Sequence, residues 1–160
     1  MRNYTFRTLT KADLPLMQRW LSTAHVKVWW PDAEAQVARM ERDMNSQKIA
    51  MFVVCLIKQP FAYLHDHDAR AFDMPEFSDL PTGARVMSTF VGDKDFMGQG
   101  HSVGYIDAWV REIRLRYPMV ATAPNTTNTR EISVFRKAGF QNRRLASNRK
   151  GQLLQVMTHL

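Results

Sequence analysis

A chain of 160 residues, 45% hydrophobic and 23% charged, has the profile of one globular domain with an ordinary core, so a single domain over residues 1–160 is expected. The stretch from Met1 to Asp13 is polar and charged with no apolar run of signal-peptide length, and the longest apolar run, Ile49 to Ile57, falls far short of the roughly 20 residues of a membrane helix, so no membrane contact and a soluble, cytoplasmic protein are expected. A net charge of +7 points to a partner carrying phosphates, and the single Cys55, inside the apolar run, excludes an internal disulfide or a cysteine-built metal site.

Tyr4 and Phe6 alternate with polar residues as in a short strand, and Thr10-Lys11-Ala12-Asp13 resembles a capping box before Leu14, Met17 and Leu21 at helical spacing. A second helix is predicted after Pro31-Asp32, with Val37, Met40 and Met44 on one face. Trp29 and Trp30 stand just before it. Ile49 to Ile57 reads as a strand, Lys58-Gln59-Pro60 as a turn, and Phe61 to Asp68 as the hairpin partner, placing Phe61, Tyr63, His65 and His67 on one face.

Ala69 to Gly83, with two prolines and no clear period, is expected to be a functional loop, and Ala84 to Val91 a third strand. After the glycine-containing loop Gly92 to Gly100, Val103, Ile106, Val110 and Ile113 mark a helix reaching about Arg116, stopped by Pro118. A short strand from Met119 to Ala123, a helix from Asn125 to Ala138 and one or two final strands complete the chain. The order predicts an α/β (α+β) fold: a mixed, mostly antiparallel sheet of six to seven strands with about four helices on both faces.

The strongest local signal is Phe96-Met97-Gly98-Gln99-Gly100-His101-Ser102, between a predicted strand and a predicted helix. Glycines there let the backbone approach a ligand, and the first turn of the following helix offers unpaired N–H groups and the positive end of its dipole. This is an anion site, although a glycine turn joining two elements has the same pattern.

Four features together resemble the GNAT superfamily of N-acetyltransferases, and within it the aminoglycoside 6'-N-acetyltransferase and siderophore-acyltransferase-like branch. They are His25-Val26 with Trp29-Trp30; the hairpin from Ile49 to Tyr63; Phe90-Val91-Gly92-Asp93 followed by Gly98-Gln99-Gly100; and Asn128 followed by Phe135-Arg136-Lys137-Ala138-Gly139-Phe140. The resemblance implies an enzyme that moves the acetyl group of acetyl-CoA directly to a primary amine of a small cationic molecule. By it, Gly98, Gln99, Gly100, His101 and Ser102 hold the coenzyme A pyrophosphate. Phe90, Val91, Asn128 and Phe135 flank the pantetheine arm. Dimers are frequent in this superfamily, which makes a homodimer a candidate assembly.

The pattern departs from the family at the chemistry. Phe135 stands where a tyrosine often protonates the departing thiolate, and Ser88 stands where the antibiotic-modifying relatives carry an aspartate. An amine must be neutral to attack a thioester, so a base is required. His65 and His67 are the candidates, with Ser88, which cannot act as a base alone. Trp29 and Trp30 are expected to wall the amine site, and the acidic stretch containing Asp66 and Asp73 to attract a cation. No metal is expected, although His65-x-His67 with Asp73 or Glu76 could hold one. Two other readings use the same residues: an acyl-CoA-binding protein with weak or lost catalysis, and a nucleic-acid-binding module. The second is disfavoured because the basic C-terminal cluster lacks interleaved aromatics.

Overall fold

The computed structural model describes residues 3–160; Met1 and Arg2, the start of the polar N-terminal stretch, lie outside it. Seven strands form one sheet in the order β1-β2-β3-β4-β5-β7-β6: β1 (Tyr4–Thr8), β2 (Ile49–Leu56), β3 (Gln59–Asp68), β4 (Arg85–Val91), β5 (Val120–Thr122), β6 (Gln141–Ser147) and β7 (Leu153–His159). Five α helices accompany them: α1 (Leu14–Leu21), α2 (Ala24–Lys27), α3 (Ala33–Asp43), α4 (His101–Arg114) and α5 (Thr129–Lys137). Pairing is antiparallel for β1 with β2, β5 with β7 and β6 with β7, and parallel for β4 with β5. The expected mixed, mostly antiparallel sheet is therefore present, with one helix more than expected, the single turn α2. Among the described residues no helix is long and apolar enough to cross a membrane.

The chain gathers into two compact units, the first comprising the chain up to Asp66 with Ser88–Gln99, the second His67–Met87 with Gly100–Leu160. In the first, Met17, Trp20, Leu21 and Met40 from α1 and α3 meet Met51, Val53, Tyr63 and Phe90 from the sheet in one buried cluster. Cys55 belongs to that cluster as a buried free thiol. The entry to α1 is held as its sequence predicts: Thr10 N–H and Oγ1–H donate to Asp13 Oδ2 at 2.9 and 3.1 Å. Arg7 then grips the same carboxylate through two bonds of 2.8 and 2.9 Å, which holds Asp13 below the usual carboxylate range.

The β2–β3 turn falls elsewhere than predicted. Ile57 and Lys58 carry positive φ of 47° and 65°, as in a two-residue type I′ turn, so β3 begins at Gln59 and Pro60 lies at its start. The twist of a I′ turn matches that of the flanking strands, and a proline is tolerated at a strand's first residues.

In the second unit, Phe77, Leu80, Val86, Met119, Ala121 and Val156 form the buried cluster. The segment between Ala69 and Gly83 is anchored by it, with a 3-10 turn at Pro75–Phe77 and a bond of 2.8 Å from the Arg70 guanidinium to the Leu80 carbonyl. The helix predicted from Asn125 starts only at Thr129. Asn125 bridges Leu154 and its Oδ1 accepts from Thr127 N–H (3.0 Å), while Asn128 caps the helix.

Candidate active site

The glycine loop has the geometry its sequence predicts. Gly98 and Gly100 have φ of 74° and 80°, left-handed values that a side chain resists, and Gly100 is the N-cap of the 14-residue α4. No side-chain hydrogen bond caps α4 at Gly100, and the positive end of the helix dipole lies at this turn. Gln99 folds back, donating from Nε2 to the Asp95 carbonyl at 2.8 Å. Ser102 is half-buried in the first turn, and His101 is buried beside it.

Parallel pairing of β4 with β5 covers only Arg85 with Val120 and Val86 with Ala121. At the next position Thr122 donates from its side-chain Oγ1 to the Met87 carbonyl at 3.0 Å, so a hydroxyl continues the ladder. Asn128, buried at the start of α5, accepts Glu131 N–H on its Oδ1 (3.2 Å) and donates from Nδ2 to Glu131 Oε2 (2.9 Å). Phe135 is fully buried and meets Phe140 edge-on at 5.1 Å. These elements fit an acyl-CoA: backbone donors for a pyrophosphate, and an amide side chain at the entrance of a second helix.

A separate recess lies within the first unit. Trp30, Gln36, Arg39, Met40, Asp43, Ile49, Met51, Tyr63 and His65 line a cavity of about 50 Å³. Trp30 is its aromatic wall, with ring centroids 6.0 Å from Tyr63, 5.9 Å from His65 and 5.1 Å from Phe90. Trp29, by contrast, is 41% exposed. Of the adjacent pair, one ring packs and the other faces solvent.

Tyr63 Oη lies 2.8 Å from His65 Nδ1. Burial first, and the Asp43 charge second, push the Tyr63 phenol far above its ordinary range, so it stays protonated and shares a hydrogen bond with Nδ1 whose direction follows the imidazole tautomer.

The other predicted residues occupy different surroundings. His67 is 3% exposed in the second unit, with Nδ1 2.8 Å from the Asp68 carbonyl and its ring against Phe72. Asp66 is buried and Ser88 is half-buried on β4. Val91 accepts from His25 Nε2 through its carbonyl (2.9 Å). Asp73 pairs with Arg149, and Asp79 with Arg143 (3.4 Å) and Arg144 (3.1 Å), so the acidic segment and the basic C-terminal cluster offset each other within the second unit. Among the described residues no group of three or more His, Cys, Asp or Glu side chains is placed to hold a metal.

Sequence reasoning missed Tyr63, Asp43 and Glu131. Tyr63 was legible two residues before His65 on the same strand face, and Glu131 as the third residue after the cap Asn128, the spacing of a capping box. Asp43 reaches the recess only through the packing of α3 on the sheet.

The acetyltransferase (GNAT) domain family matches residues 10–147. The chain is 24% identical over 148 residues to aminoglycoside N(6')-acetyltransferase type 1 of Klebsiella pneumoniae, covering 86% of this chain and 73% of that relative. It is similar to the solved aminoglycoside acetyltransferase AAC(6')-Ib in complex with coenzyme A and kanamycin, at 22% identity and a TM-score of 0.86, covering 98% of this chain and 94% of the other. The aminoglycoside N(6')-acetyltransferase of Legionella pneumophila matches at 20% identity and a TM-score of 0.83, covering 99% and 92%. The two structural likenesses speak for a shared fold.

Proposed function

Because this chain belongs to the acetyltransferase (GNAT) domain family, we propose that it transfers the acetyl group of acetyl-CoA to a primary amine of a small cationic molecule by direct attack. The observation that carries the reading is the uncapped, glycine-bounded N-terminus of α4 inside the matched domain. Backbone N–H groups from Gln99 to Ser102 bind the pyrophosphate, with Gly98 and Gly100 keeping the approach clear. Phe90, Val91, Asn128 and Phe135 border the pantetheine arm. Acetyl-CoA supplies an activated acyl group on a thiol that leaves readily.

The amine enters the recess of Trp30, Tyr63 and His65. There the indole face of Trp30, with exposed Trp29 outside, favours a positive charge, beside the Asp43 carboxylate that pairs with Arg42 at 3.5 Å. His65 takes the amine's proton through the Tyr63 hydroxyl, leaving the nitrogen lone pair free to attack. Ser88, from β4, orients the reacting groups; Asp66 and His67 stand at the start of the acidic segment, and its Asp73 is held by Arg149. The likeness to aminoglycoside N(6')-acetyltransferases makes an aminomethyl-bearing aminoglycoside the first acceptor to try. The cytoplasm, where acetyl-CoA is made and used, is the proposed location, and a homodimer the proposed assembly.

Isothermal titration with acetyl-CoA, followed by thiol release with a panel of amines, tests the reading. We expect saturable binding of about micromolar strength and turnover with at least one polyamine or aminoglycoside. Gly100→Trp, folded by circular dichroism, should bind at least ten-fold more weakly, on the order of 1.4 kcal/mol or more. Undiminished binding by that folded variant would place the coenzyme elsewhere.

A further inference from the structure

We propose that Glu131 is the acid that protonates the departing coenzyme A sulfur, a proton that Phe135 has no hydroxyl to supply. The inference rests on the acetyl-transfer reading above, in which Asn128 borders the pantetheine arm.

The geometry is that of a held carboxyl. Asn128 donates from Nδ2 to Glu131 Oε2 at 2.9 Å and accepts the Glu131 backbone N–H on Oδ1 at 3.2 Å, a reciprocal clasp at the first turn of α5. Glu131 lies four residues before Phe135, so the two project from one face of the helix, a turn apart. With Oε2 accepting from Asn128, the proton of the neutral acid is carried on Oε1. The residue is half-buried, yet its carboxyl is closely surrounded by protein, and burial raises its pKa from 4.5 to about 7. Charged groups on the elements packed against α5 make no contribution to that rise, neither Asp107, Arg111, Glu112 and Arg114 on α4 nor Arg143 and Arg144 on β6. Near neutral pH the group thus exists in both forms, the condition for giving and regaining a proton in each cycle. Phe135 is fully buried against Phe140 and brings only hydrocarbon.

The step balances as follows. The amine nitrogen forms a bond to the acetyl carbonyl carbon, and the carbon–sulfur bond breaks with its electron pair passing to sulfur. The Glu131 O–H proton moves to that sulfur, leaving free thiol and a carboxylate. An ammonium sheds two protons on becoming an amide: the first leaves before attack, the second passes from nitrogen to solvent as the carbon–sulfur bond breaks, and solvent also reprotonates Glu131 before the next turnover.

The test compares wild type with Glu131→Gln, which keeps an acceptor for Asn128 but holds no transferable proton. Each protein is first shown to be folded and to bind coenzyme A by calorimetry. The thiol of bound coenzyme A is then titrated by its ultraviolet thiolate absorbance. An ionised Glu131 beside the sulfur opposes thiolate formation, so the thiol should ionise about one pH unit higher in wild type than in Glu131→Gln. In turnover, kcat/KM of wild type should fall as pH rises above about 7, and Glu131→Gln should lose that limb along with roughly 100-fold in rate. Adding Phe135→Tyr to Glu131→Gln should restore part of the rate. Identical thiol titrations in the two proteins overturn the proposal. Failure of wild type to bind coenzyme A overturns the site reading itself, and this proposal with it.

Discussion

The indole of Trp20 lies so close to Gly92 that a Cβ there would sit 2.0 Å from its Cδ2, far inside van der Waals contact. Gly92 directly follows β4, and its N–H donates to the Phe61 carbonyl at 2.8 Å, so the backbone cannot retreat without breaking that bond to β3. Gly92→Ala should therefore cost about 1–3 kcal/mol, the usual range for overpacking, read as a lower urea midpoint with unchanged slope. A loss below a few tenths of a kcal/mol would mean that Trp20 swings aside freely. The same close reading separates the two histidines. His65 and His67 look equivalent as alternate residues of one strand, but a histidine's chemistry depends on what bonds its ring nitrogens. Tyr63 does so for His65 and a backbone carbonyl for His67. Neither partner is visible in a pattern of alternation alone.

At the scale of the element, α5 shows how a cap decides where a helix begins. The helix expected from Asn125 starts four residues later: Asn125 uses its own side chain to close a turn, and the asparagine that caps is Asn128. Asn128→Ala removes the cap and the donor to Glu131, and should cost about 1 kcal/mol as a lower midpoint of thermal unfolding, whereas Asn128→Asp should retain most of the stability. Equal stability of wild type and Asn128→Ala would show that α5 is held by Phe135 packing alone. Elements with strong periodicity, α1, α3 and α4, were legible to within about two residues, because amphipathic spacing is a local property. Their ends were less so. α4 ends at Arg114 rather than about Arg116, and the β2–β3 turn falls at Ile57 and Lys58, both left-handed, rather than at Lys58-Gln59-Pro60.

For the whole molecule, titrating groups pull stability in opposite directions. Glu131 has a folded pKa above its unfolded value, so its contribution is full below pH 4.5 and is lost as pH rises towards about 7, up to about 3 kcal/mol by linkage. His159 goes the other way. Burial, then the charge of Arg114, depresses its pKa, so the unfolded chain binds the proton first and stability is lost as pH falls below 6.5. Arg114 enforces this by donating to His159 Nδ1 at 2.9 Å. Urea unfolding from pH 5 to pH 8 should show the pattern. Glu131→Gln flattens the decline on the alkaline side and His159→Gln that on the acid side; parallel curves for all three proteins would refute both assignments. Charge pairing is a further property of this scale: the +7 of the chain is unevenly distributed, and the pairs Asp73–Arg149 and Asp79–Arg144 join segments more than 60 residues apart. By itself the sequence determined the order of elements, the glycine loop at the start of α4, the mixed sheet and the family, since periodicity, glycine placement and motif spacing act over a few neighbouring residues. Only the tertiary structure decided that Asp43, Tyr63 and His65 share a recess with Trp30, that Arg144 and Arg149 neutralise the acidic segment, and that the Glu131 carboxyl is buried enough to hold a proton near neutral pH. Those properties depend on desolvation and on contacts between distant segments, which exist only once the chain has folded.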